Sequence, residues 1–102
     1  MALSVNANFS EEKDSWEIKV SGEVDISNAQ EFKSKLDGAL ELRRSDLLID
    51  LSSLNYIDST GLGVIIGTFG TVKKEGLTVK LINPRENVRK LLNISGLDKV
   101  LC

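Results

Sequence analysis

Asp58, Ser59 and Thr60 stand together behind an apolar segment, and Gly61, Gly63, Gly67 and Gly70 follow them among strongly apolar residues. An acid beside two hydroxyls at the opening of a helical pattern suits reversible modification of the chain. A helix start presents unpaired N–H groups and partial positive charge, so the fold tolerates a phosphoryl group on Ser59. Phosphoserine adds about -1.5 to -2 charge at neutral pH. Beside Asp58 and Asp25 that charge would collect into a strongly negative spot, and a partner docking there with carboxylates or apolar groups would lose affinity. A serine at a helix start is also an ordinary cap, and Asp25 and Asp58 can simply satisfy turn and helix-start amides.

Composition removes competing chemistries. The chain has 102 residues and is read as one domain over residues 1–102. It contains no histidine and one cysteine, so Ser-His-Asp and Cys-His nucleophiles are unavailable and the commonest zinc ligand is missing. Neither G-x-x-x-x-G-K-[ST] nor G-x-G-x-x-G occurs, and Ser59 lacks the G-x-S-x-G context of a nucleophile elbow. A non-enzymatic protein is expected, with no metal and no cofactor. The formal charge of -2 leaves no basic excess for a phosphate backbone, so nucleic acid is not an expected partner. Apolar runs such as Leu62 to Ile66 are far shorter than the roughly 20 residues of a spanning helix, and no secretory leader pattern opens the chain. A cytoplasmic location is therefore expected, and the lone Cys102 is read as incidental.

The elements that must position Ser59 are legible in outline. Val5 to Phe9 and Trp16 to Val20 alternate apolar with polar residues around a polar stretch, predicting an antiparallel strand pair. Ser27 and Gln30 form a capping-box pattern ahead of Ala29, Phe32, Leu36, Ala39 and Leu40, which predict a helix of about four turns. Leu47 to Leu51 reads as a central strand covered on both faces, followed by a polar loop from Ser52. A second helix runs from about Thr60 to near Gly76, a strand from Leu77 to Ile82, and a third helix starts with Asn83 as cap and Pro84 first. Val88, Leu91 and Leu92 give that helix its buried stripe, Gly96 closes it, and Leu97, Val100 and Leu101 return to the core. The order implies an α/β domain: a mixed four-stranded sheet, its later strands parallel, packed by three to four helices. Gly22 to Asp25, Ser52 to Ser59 and Asn83 to Pro84 should then meet at one sheet edge.

On a helical wheel, Leu62, Ile65, Ile66, Phe69 and Val72 share one side, while Gly63, Gly67 and Gly70 form a separate stripe. Interior glycines cost about 0.5 to 1 kcal/mol each relative to alanine, so something should offset them. Either a neighbouring helix packs onto bare backbone, or another protein docks there.

The segments "SGEVDISNAQEF" at 21 to 32, "LLIDLSSLNYIDSTGLGVII" at 47 to 66 and "NISGLDKVL" at 93 to 101 resemble the STAS domain family, specifically its bacterial anti-sigma factor antagonists. The resemblance spans nearly the whole chain. It implies a small cytosolic regulator without catalytic activity. Its unphosphorylated form would bind an anti-sigma factor that is also a serine kinase, freeing the sigma factor. The kinase, which binds the ATP, would phosphorylate the antagonist and release it, and a serine phosphatase would reset it. Carried over, the phosphoacceptor is Ser59, preceded by Asp58, and Asp25 matches the acid ending G-E-[LV]-D. Thr60 stands where many relatives have a second serine and is itself a possible acceptor. The expected docking surface comprises Asp25, Asp58, Ser59, Thr60, Gly61, Gly63, Gly67 and Gly70.

Two other readings stay open. One is a STAS subunit bound constitutively to a membrane transporter's ATPase, using the glycine face without phosphorylation; the chain's end soon after Leu101 is read as favouring a free-standing antagonist over a transporter tail. The other is an aspartyl-phosphate phosphotransfer protein using Asp50 or Asp58, which would need Mg²⁺ held by convergent carboxylates and a nearby lysine.

Overall fold

The computed structural model describes residues 2–101; Cys102 lies outside the described residues. The elements are β1 (Ser4–Ser10), β2 (Ser15–Val24), α1 (Ala29–Leu42), β3 (Asp46–Ile57), α2 (Ser59–Lys73), β4 (Val79–Ile82), α3 (Glu86–Ser95) and α4 (Asp98–Leu101). They build one mixed sheet in the order β1-β2-β3-β4. The β1–β2 pair is antiparallel, and β2–β3 and β3–β4 are parallel. This is the α/β architecture expected from the order of periodic segments.

β2, β3 and β4 bury the same face, and Val5 and Phe9 of β1 pack partly buried against it. Ile18 pairs with Ile49, which pairs with Leu81, and these three join Phe32, Leu36, Ile65, Val88 and Leu92 from the helices in one core. Both crossovers step in the same direction along the sheet, from β2 to β3 and from β3 to β4. A common handedness therefore sets α1 and α2 on one face. The expectation that β3 is covered on both faces is overturned for this reason: Leu48 and Asp50 are only half-buried, on the open face with Asn6, Asn8, Glu17, Lys19 and Ile82. The rim beside β1 is closed by Trp16. Its ring meets Phe9 edge-on at 5.4 Å, its Nε1 donates to the Arg43 carbonyl at 2.9 Å, and the Arg43 guanidinium lies over Phe9.

Five local expectations change. No loop begins at Ser52, because β3 continues to Ile57. Its core-facing residues change spacing from Leu47, Ile49 and Leu51 to Leu54 and Ile57, since the β2–β3 register shifts twice. Bulges of this kind insert extra residues and erase the two-residue period. Ser27 does not cap α1. Its hydroxyl and N–H both donate to Asp25, and Asn28, whose side chain bonds the Asp25 N–H and the Glu23 carbonyl, takes the cap position. Asn83 does not cap α3 but turns the chain with φ 55, leaving Arg85 at the cap. Val100 faces outward at 58% exposure while Leu101 is buried. Ile66, placed inward by the wheel, is 47% exposed.

Candidate functional site

Parallel pairing of β2 and β3 continues to Val24 opposite Ile57, so the chain leaves both strands at one edge. The Asp58 N–H donates to the Val24 carbonyl at 3.1 Å, extending the contact beyond the last paired residues. Asp25 follows Val24 and Asp58 follows Ile57, which makes the two acids neighbours at the sheet edge. The third segment expected there, Asn83 to Pro84, lies elsewhere. Asn83 donates to Asp50, at the end of the β3–β4 pairing, because β3 runs on past that point.

Asp58 is the N-cap of α2. Its Oδ1 accepts from the Thr60 N–H at 2.9 Å, from the Gly61 N–H at 3.2 Å and from the Thr60 hydroxyl. The carboxylate also accepts from the Ile26 N–H, tying the turn before α1 to the start of α2. The Thr60 hydroxyl is the largest cause holding the Asp58 carboxyl below its ordinary pKa, helped by the Gly61, Thr60 and Ile26 N–H groups and opposed by desolvation. Asp25 is engaged with Ser27 in its own turn. Both acids therefore satisfy backbone groups.

Ser59 is the first residue of α2 and is exposed. Thr60 is half-buried with its hydroxyl committed to Asp58. Gly63, Gly67 and Gly70 are exposed, and a Cβ on any of them would meet nothing within 4 Å. No element of the described fold packs onto the stripe, so the close-packing explanation of these glycines fails. Gly61 differs. It is buried, and a Cβ there would stand 2.6 Å from Ile57 Cγ1 and 2.7 Å from Val24 Cγ1.

Beside the stripe, a groove of about 360 Å³ runs between α1 and α2, lined by Lys33, Asp37, Thr60, Gly63, Gly67 and Thr68 among others. Lys33 and Asp37 form an ion pair on its wall at 2.7 Å. Sequence reading missed Ile26, which is 81% exposed beside Asp25. Its only signal was an isoleucine set between Asp25 and Ser27 in a polar stretch. Asp50 is not part of this edge. It precedes Asp58 by eight positions, about 25 Å along a strand. Its carboxyl is held below the ordinary value chiefly by the Ser52 N–H, with Lys19 and Asn83 contributing. No group of three or more Asp, Glu, Cys or His residues among the described residues converges for a metal ion. No helix is long and apolar enough to cross a membrane among these residues.

Known proteins are similar to this chain in sequence and fold. The chain is 35% identical over 99 residues to the anti-sigma-B factor antagonist of Bacillus subtilis, covering 97% of this chain and 90% of the relative. A candidate anti-sigma factor antagonist from Thermotoga maritima superposes with a TM-score of 0.86 at 26% identity, covering 95% of this chain and 82% of the other. The unphosphorylated form of the Bacillus anti-sigma factor antagonist SpoIIAA shares the fold, with a TM-score of 0.77 at 22% identity over 99% of this chain and 86% of that one. The STAS domain model matches residues 7–101. With the family model spanning residues 7–101 and near full-length similarity to an antagonist at 35% identity, the chain belongs to the STAS domain family.

Proposed function

We propose that this chain is an anti-sigma factor antagonist whose unphosphorylated form docks on an anti-sigma factor and is released when that partner, acting as an ATP-dependent serine kinase, phosphorylates Ser59. The observation that carries the reading is the exposed Ser59 at the first position of α2, beside a helix face left open at Gly63, Gly67 and Gly70. Its similarity to the Bacillus subtilis antagonist supports the same reading. In the transfer, the Ser59 oxygen bonds to the γ-phosphorus of ATP held by the partner, the bond from that phosphorus to ADP breaks, and the hydroxyl proton leaves to solvent. A serine phosphatase hydrolyses the ester and restores Ser59.

The docking surface comprises Asp25, Asp58, Ser59, Thr60 and the three open glycines, with Ile26 and Ile66 as exposed apolar anchors. Gly61 supports this surface from beneath. Commitment of the Thr60 hydroxyl to Asp58 favours Ser59 as the acceptor. Phosphorylation there places about two negative charges beside Asp58 and Asp25. Each 1.4 kcal/mol of the resulting repulsion lowers affinity about tenfold.

The test is mass spectrometry of the tryptic peptide Ser45 to Lys73, isolated from native cells, with partner capture by Ser59→Asp and Ser59→Ala chains. Phosphate on Ser59, partner loss with Ser59→Asp and retention with Ser59→Ala are expected. An unmodified peptide under every growth condition, with Ser59→Asp still bound, would instead indicate a constitutive docking subunit. A hydroxylamine-labile phosphoryl group would indicate an aspartyl acceptor.

A further inference from the structure

β3 carries Asp58 to the sheet edge without a strand on both sides. β4 pairs with it only from Leu47 to Asp50, so beyond that point its ladder runs on the β2 side alone. That side is irregular. Lys19 pairs with Asp50 but Ser21 with Ser53, and Gly22 pairs with Leu54 but Glu23 with Tyr56. Ser52 lies within the first shift and Asn55 within the second. Bulges interrupt the ladder locally, and their backbone groups need partners from outside it.

Each shift has its own donor. Arg85 Nε donates to the Ser52 carbonyl at 3.0 Å, and Asn87 Nδ2 donates to the Asn55 carbonyl at 2.7 Å. Both donors come from the start of α3, whose Val88 and Leu92 join the core with Leu51 and Leu54 of β3. Two side chains thus stand in for a neighbouring strand along the segment that ends at Asp58.

We propose that Arg85 and Asn87 are positioning residues: by holding the two β3 bulges they fix Asp58 and Ser59 against the Asp25 turn, so that docking of α3 governs presentation of the acceptor. The functional consequence rests on reading Ser59 as the phosphoacceptor; the positioning itself does not.

Amide hydrogen exchange, read by NMR on the full unphosphorylated chain without partner, tests this in Arg85→Ala, Asn87→Asp and Asn87→Gln. Asn87→Asp keeps the shape and removes the donor, whereas Asn87→Gln keeps an amide donor. In Arg85→Ala and Asn87→Asp the Asp58, Thr60 and Gly61 amides should exchange about three- to tenfold faster, the worth of one hydrogen bond in local opening. The Leu47 amide, bonded to the Thr78 carbonyl at 2.9 Å, should be unchanged, and Asn87→Gln should return exchange toward the parent rate. Equal acceleration at Leu47, no acceleration at Asp58, or no rescue by Asn87→Gln would each overturn the proposal. Such a failure leaves the Ser59 assignment standing, because the phosphopeptide measurement does not depend on it.

Discussion

Gly61 in the first turn of α2 rests directly on Ile57 at the end of β3: a methyl group on Gly61 would stand 2.6 Å from Ile57 Cγ1. The contact fixes how closely the helix carrying Ser59 approaches the sheet. Val24, fully buried, closes the same space at 2.7 Å, and its branched side chain has little freedom to move.

Gly61→Ala should therefore destabilise the fold by about 1 to 3 kcal/mol, the usual cost of overpacking a core. Urea unfolding followed by the fluorescence of Trp16, which is 8% exposed and the only tryptophan, measures this directly. An unchanged midpoint would show that α2 can lift away from Ile57 without cost.

Gly63→Ala and Gly67→Ala should do the opposite. Both sites are open, so alanine removes unfolded-state freedom and raises stability by about 0.4 to 1 kcal/mol each. The same variants, and more so Gly67→Leu, should weaken docking on the anti-sigma factor. A gain in stability with undiminished binding, measured by calorimetry, would remove the stripe from the docking surface.

Asp58 carries a pH dependence of definite sign. Its folded pKa is lowered, so its contribution to stability is fully present above the unfolded value, about 4, and is lost as pH falls through the folded value. Thr60→Val removes the largest cause of the lowering, and the Asp58 carboxyl should then titrate at higher pH in a carbon-13 NMR titration. Ser59→Ala, which touches none of these donors, should leave that titration in place.

Gly96 ends α3 with φ 76, and its N–H and that of Leu97 return to carbonyls of the last turn. Gly96→Ala forces a side chain into the left-handed region and should cost about 1 to 2 kcal/mol. The thermal midpoint should fall, while partner affinity at low temperature stays unchanged because Gly96 lies outside the proposed docking surface.

The identity of the elements was legible because it depends on neighbours in the chain. Alternation in Trp16 to Val20 and helical spacing from Phe32 to Leu40 each describe one buried face, and the structure buries those faces. The place of Ser59 at a helix start was equally local, since Asp58 caps amides only two and three residues ahead. The continuation of β3 through Ser52 to Ile57 was not legible, because bulges replace the strand period with spacings of three that no alternation pattern recognises. The caps at Ser27 and Asn83 failed for a related reason: Asp25 takes both Ser27 donors, and Asn83 adopts a left-handed turn before Pro84.

By itself, then, the sequence determined one α/β domain, its strands and helices, and an acid-led hydroxyl pair opening a glycine-rich helix. It could not tell Gly61 from Gly63, because both are glycines in the same helix and differ only in what lies across from them. Tertiary structure decided that one is wedged over Ile57 and the other faces open space. It likewise decided that Asn83 joins Asp50 and not the edge where Asp25 and Asp58 meet, since long-range strand pairing and its register are set by contacts between residues distant in the chain.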